Sequence, residues 1–200
     1  MGLSGEISNL DETKIYGVMP FVAPEVLKGR PYTQAADIYS FGMVMYFVAT
    51  TKQPFVNCAH DSILALKICN GIRPEINELE APKCYIDLMK RCWDSNPDIR
   101  PSANEIEELI KLFRSNHDNV FYDKSTQYGE DKEIKKQFEE AEEYRKANFI
   151  NIKNNRSTIH PQACYTSRLL NPFTKELSKC DDSYNISVEV IDFTNESNQQ

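Results

Sequence analysis

Asp37-Ile38-Tyr39-Ser40-Phe41-Gly42-Met43-Val44-Met45-Tyr46-Phe47-Val48 decides the fold. The run is apolar nearly all round at helical period, and such a helix is expected to be buried on every side. Thr33 is placed to cap it, and the helix is predicted over residues 34–50. A fully apolar helix of that length is the central pillar of a helical domain.

Working outward, shorter helices follow. Asp61 can cap one over 62–70 that ends at Gly71 and carries Ile63, Leu64, Leu66, Ile68 and Cys69. Another is predicted over 82–93, with Ile86, Leu88, Met89 and Cys92 inward, before the turn Asn96-Pro97-Asp98. Ser102 and Glu105 stand at capping-box spacing. They open a helix with Ile106, Leu109, Ile110 and Phe113 at i, i+3, i+4 and i+7. Upstream, Pro24 suits the first turn of a short helix over 24–28, and Gly29 can end it. Residues 1–13 are polar and read as a loop.

Beyond Arg114 the character changes. Residues 115–130 read as a polar linker. Residues 131–149 read as an amphipathic helix with Ile134, Phe138, Ala141 and Tyr144 on one stripe, supported by the pairs Asp131–Lys135 and Glu142–Lys146. Residues 150–200 are rich in Asn, Ser, Thr and Lys and are expected to be largely disordered. A late alternating run, 187–193, is a weak strand candidate with no evident partner.

Composition narrows the function. The chain of 200 residues has net charge -7, pI about 5.1 and mean hydropathy -0.54. An acidic balance argues against nucleic acid as a partner, and less strongly against an anionic membrane surface. The longest apolar stretch, 41–49, is far too short to span a bilayer, and no signal-peptide pattern opens the chain. Met1-Gly2 lacks the Ser or Thr of a myristoylation signal, since Glu6 stands there. Cys58, Cys69, Cys84, Cys92, Cys164 and Cys180 form no Cys-x-x-Cys pair, and with His60, His117 and His160 give no zinc spacing. Reduced thiols and a cytoplasmic location follow as the expectation, and the sequons at Asn155 and Asn185 are then chance matches.

The motifs are more specific. Gly17-Val18-Met19-Pro20-Phe21-Val22-Ala23-Pro24-Glu25 resembles the end of a protein-kinase activation segment, which closes on Ala-Pro-Glu. Asp37 to Gly42 looks like the start of that family's central buried helix. Gln53-Pro54-Phe55 resembles the loop after it, and Cys92-Trp93 with Pro97, Arg100 and Pro101 looks like the pattern near the last helices. In this order and spacing, residues 1–114 are identified as a partial protein kinase domain, closest in wording to the tyrosine-kinase-like branch. The fold class this implies is mainly α: the lower helical part of a kinase C-terminal lobe, then an amphipathic helix and a tail.

The resemblance assigns roles. Gly17, Val18, Pro20 and Phe21 would form the substrate-facing loop, and Ala23, Pro24, Glu25, Asp37, Gly42, Trp93 and Arg100 would be structural. Glu25 and Arg100 would form a buried ion pair suited to arginine's planar fork. Asp37 would accept hydrogen bonds from the catalytic-loop backbone; without that loop it is either exposed or served by another segment. Val18 stands where serine/threonine kinases carry Thr and tyrosine kinases carry Pro, and matches neither. Phe47 and Thr51 depart from the family's frequent Glu and Gly. Thr13 and Tyr16 lie where family members are phosphorylated, although ordinary loop hydroxyls account for them as well.

Phosphoryl transfer needs a Gly-rich loop, a strand lysine with its glutamate, a His-Arg-Asp loop and an Asp-Phe-Gly aspartate. None occurs in the sequence. Met1-Gly2-Leu3-Ser4 resembles the Gly-Leu-Ser after Asp-Phe, with Met1 in place of Phe, which implies a fragment. The resemblance therefore implies ATP and Mg for the complete family, and no catalytic, cofactor or metal residue in this chain. The alternative is a non-catalytic, pseudokinase-like module that binds proteins; a fragment that fails to fold is the third reading.

Overall fold

The computed structural model describes residues 14–118, 128–148, 159–175 and 177. Strand β1 (Tyr16–Gly17) leads through a 3-10 turn (Met19–Phe21) into α1 (Pro24–Leu27). Then come α2 (Gln34–Thr50), α3 (Ser62–Cys69), α4 (Lys83–Cys92), a second 3-10 turn (Pro97–Ile99), α5 (Ala103–Asp118) and α6 (Tyr128–Ala147). Strand β2 (Arg168–Leu169) and α7 (Asn171–Thr174) close the described chain. The fold is mainly α, with β1 and β2 as a two-stranded antiparallel sheet.

Local chemistry sets the helix ends. Thr33 Oγ1 accepts from the Ala36 amide, and Asp61 Oδ1 accepts from Ile63 at 2.9 Å and Leu64 at 3.2 Å. Ser102 Oγ accepts from the Glu105 amide at 3.2 Å, but the Glu105 carboxylate does not return to close the box; it pairs with Arg91 of α4. Helix α2 ends at Thr51, which holds a left-handed φ of 57°. That conformation explains the glycine expected there: a β-branched side chain in the left-handed region is strained.

Helix α2 is the pillar, packed on α4 along one side and on the 3-10 turns near its start. Tyr39 and Met43 are fully buried, with Ala36, Gly42, Met45 and Tyr46 on the same inner surface. The expectation of burial on every side does not hold. Val44, Phe47 and Val48 are 45%, 41% and 60% exposed, so one apolar face of the pillar stays open. Helix α6 lies against α5 and α4: Phe138 meets Phe113 with ring centroids 6.2 Å apart, and Gln137 Oε1 accepts from the Cys84 amide at 2.9 Å. Its stripe Ile134, Phe138, Ala141 and Tyr144 is half-buried. The Glu142–Lys146 pair forms at 3.6 Å, whereas the Asp131 side chain lies outside the described residues.

Two boundaries differ from the reading of the sequence. Helix α5 runs on to Asp118 and α6 begins at Tyr128, so helix occupies both ends of the stretch read as linker. Residues 159–175, read as part of a largely disordered tail, instead pack along the lobe. Leu170 is fully buried, and Thr174 and Leu177 are nearly so. The strand candidate 187–193 lies outside the described residues.

Candidate functional site: the loop over the Glu25–Arg100 clasp

Gly17, Val18, Pro20 and Phe21, the residues expected from the sequence to face substrate, lie on and beside a hydrogen-bonded 3-10 turn. The Phe21 amide donates to Val18 O at 2.8 Å and the Val22 amide to Met19 O at 3.1 Å. Pro20 sits within the turn, which suits its fixed φ. Ser40 of α2 reaches up: its hydroxyl lies 2.7 Å from Phe21 O and 3.1 Å from Ala36 O, tying the loop to the pillar. Gly17 is demanded by space, because a Cβ there would stand 2.6 Å from Val22 Cγ2. The Tyr32 hydroxyl donates to Tyr16 O at 2.8 Å, and the Tyr16 side chain is 43% exposed. Thr13 lies outside the described residues.

Directly beneath, Ala23 and Pro24 open α1 and place Glu25 in its first turn. Arg100 emerges from the second 3-10 turn, 75 residues later, and grips Glu25 with both ends of its fork: Nη1 to Oε1 at 2.7 Å and Nη2 to Oε2 at 2.8 Å. Nη1 also donates to Ala35 O at 2.8 Å, and Nε to Asp94 O at 2.8 Å. One guanidinium thus joins α1, the start of α2 and the loop after α4. Its side chain is 0% exposed and that of Glu25 is 9%. Every donor direction used is met by a backbone or carboxylate oxygen, which a buried cation requires.

Tyr39 is held between two cations, with Arg73 Cζ 5.0 Å and Arg100 Cζ 5.4 Å from its ring centroid. Its hydroxyl is buried with no hydrogen-bond partner among the described residues. Burial raises its pKa, outweighing the two arginines, which lower it. Replacing Tyr39 with Phe keeps the ring and removes the orphan hydroxyl, so the variant is expected to be more stable by about 1 kcal/mol. The urea midpoint checks this.

Asp37 is exposed at the helix N-terminus, the first of the two alternatives expected for it. Trp93 caps α4, tilts against Tyr46 at 6.1 Å, and its carbonyl accepts from Arg73 Nε at 2.8 Å. Gly42 faces it: a Cβ there would lie 2.9 Å from Cys92 Cβ and 3.1 Å from Trp93 N.

The sequence model of the protein tyrosine and serine/threonine kinase family matches residues 1–110. The chain belongs to that family. Among curated relatives, it is similar to the dual specificity protein kinase shkA of Dictyostelium discoideum, 37% identical over 99 residues that make up 47% of this chain and 19% of the relative. It is similar also to the serine/threonine-protein kinase mos of Patiria pectinifera, 34% identical over 57% of this chain and 32% of the relative. Human receptor-interacting serine/threonine-protein kinase 1 is 34% identical over 54% of this chain and 17% of its own length. The matches thus span less than a third of each of these kinases. No helix of the described residues is long and apolar enough to cross a membrane, and no cluster among them could hold a metal ion.

Reading the kinase motifs missed one set of residues altogether. His60 is 2% exposed; its Nδ1 lies 3.0 Å from Cys164 O and 3.1 Å from the Cys164 amide, and its Nε2 lies 3.2 Å from Phe55 O, with donor and acceptor roles set by the tautomer. Burial lowers its pKa, opposed by those backbone hydrogen bonds. The Tyr165 hydroxyl donates to Pro54 O at 2.9 Å and its ring meets His60 edge-on at 4.8 Å. The only sequence signal for this contact is Leu169-Leu170 before Asn171-Pro172, an apolar pair ahead of a helix-opening proline.

Proposed function

We propose that this chain is the lower part of a protein kinase catalytic domain of the tyrosine-kinase-like branch, whose whole protein transfers the γ-phosphoryl of ATP–Mg to a hydroxyl of a protein substrate in cytoplasmic signalling. Gly17, Val18, Pro20 and Phe21 face that substrate, and Thr13 and Tyr16 lie in the segment where members of the family are phosphorylated. The observation that carries the reading is the bidentate Glu25–Arg100 clasp under the loop: it fixes the loop's base to the pillar without taking part in chemistry. Val18 commits the chain to neither hydroxyl class.

The 200-residue polypeptide carries none of the groups that hold nucleotide phosphates or magnesium in kinases. Calorimetric titration of the full chain with ATP–Mg is therefore expected to give no specific heat; stoichiometric binding at micromolar concentration would overturn this.

A second reading, a non-catalytic module that binds proteins, is favoured by the open face of α2. Phe41, Val44 and Val48 line a groove of about 370 Å³ with Tyr85, Phe113 and Phe138. Exposed apolar grooves of this kind mark binding surfaces. A chain that stays monomeric and captures no protein would count against it.

A further inference from the structure

Residues 159–175 behave chemically as a ligand that happens to be covalently attached. Strand β2 pairs antiparallel with β1, Leu169 opposite Tyr16 and Arg168 opposite Gly17. The Leu170 amide donates to Ile15 O at 2.8 Å, and Asn171 Oδ1 accepts from the Ile15 amide at 2.8 Å. Main-chain pairing with one edge, plus pockets for selected side chains, is how an extended peptide adds to an exposed strand. The selected side chains are distinct. Leu170 is fully buried, Tyr165 bonds Pro54 O, and Arg168 donates to His60 O while its guanidinium lies 4.4 Å from the Phe173 centroid. Leu169, between the anchors, is 36% exposed.

The place it docks is functional ground on the reading of Gly17–Phe21 as substrate-facing, on which this inference rests. Strand β1 runs directly into that loop, and Gly17 belongs to both. A two-residue ladder has little stability of its own. Its occupancy depends on tethering, because covalent attachment presents the segment at high effective concentration. We propose that residues 159–175 are a displaceable strap filling a peptide-docking groove beside the substrate-facing loop, and that the groove takes an extended peptide of the strap's own chemistry, Tyr-x-x-Arg-x-Leu-Asn, once the strap lifts. The strap then guards the loop: a peptide running along β1 must first displace it.

The probe is a fluorescein-labelled synthetic peptide of residues 159–177, titrated by anisotropy against the full chain and against full chain carrying Leu170→Asp. The variant is expected to bind at least about tenfold more tightly than the unmodified chain, whose own strap competes at high effective concentration. Unlabelled peptide carrying the same Leu170→Asp change should fail to compete. Equal affinities, or no binding by a variant that still melts cooperatively, would overturn the proposal. Arg168→Ala serves as the milder variant if Leu170→Asp does not fold. Hydrogen exchange of the unmodified chain gives an independent measure: the Ile15 and Leu170 amides should exchange together, at least about tenfold faster than those of α2. Exchange at the α2 rate would make the strap an integral part of the core and end the idea. None of these measurements involves nucleotide, so their failure is distinct from the outcome of the ATP titration.

Discussion

Arg100→Ala is expected to destabilise the chain by about 3–5 kcal/mol, because it leaves the Glu25 carboxylate buried without its cation. For a domain whose total stability is on the order of 5–15 kcal/mol, that is about a fifth or more, and the melting temperature should drop by more than about 10 °C. The loss exceeds that of a surface pair, where solvent screening leaves roughly 0–1 kcal/mol. Here the arginine side chain is 0% exposed and also holds the Ala35 and Asp94 carbonyls, so those acceptors lose their donors too. Arg100→Lys should rescue little, since one ammonium cannot span both Glu25 oxygens and two carbonyls in the same plane. Glu25→Ala alone should be similarly costly, for it strands the guanidinium. The double variant should cost clearly less than the sum of the two, and a double-mutant cycle in urea measures the difference. Additive losses would mean that the two side chains act independently, against the geometry of 2.7 and 2.8 Å contacts.

The second large effect is expected at Gly42. Intrinsic propensity favours its replacement: alanine in a helix interior gains about 1 kcal/mol over glycine. Packing opposes it more strongly. The new Cβ would lie 2.9 Å from Cys92 Cβ and 3.1 Å from Trp93 N, atoms fixed at the end of α4 rather than the tips of flexible side chains. Helices α2 and α4 must separate, and overpacking of this kind costs about 1–3 kcal/mol. Gly42→Ala is therefore expected to be destabilising on balance, and Gly42→Val more so, since its methyls meet the same wall. The chain has one tryptophan, and it is the residue displaced, so Trp93 fluorescence reports the shift directly. The urea midpoint should fall with an unchanged slope. A more stable Gly42→Ala would show that α4 yields easily and that the glycine answers to something other than close approach.

These effects come from residues that were legible to different degrees. The helices were legible because their signals are local: Thr33 and Asp61 cap by reaching amides two or three residues on, and Ile106, Leu109 and Phe113 share a face by period alone. The partnership of Glu25 with Arg100 was legible only through the order of kinase motifs, since nothing in either residue's neighbourhood names the other. The open face of α2 was misread. Apolarity records what a helix can bury, and Val44, Phe47 and Val48 have that capacity without a neighbour to cover them fully. The strap was invisible for a related reason: Arg168-Leu169 is too short to carry a strand pattern, and its pairing is supplied by Tyr16 and Gly17 at the other end of the chain.

The amino-acid sequence by itself determined the helical class, most helix ends and the kinase family, because caps, periodicity and ordered motifs act over a few residues or survive as spacing. The tertiary structure alone decided that one guanidinium ties three segments together, that Gly42 is the point where two helices touch, and that part of a polar tail pairs with Tyr16 and Gly17. Those are matters of distance between residues far apart in the chain, and a linear sequence holds no distances.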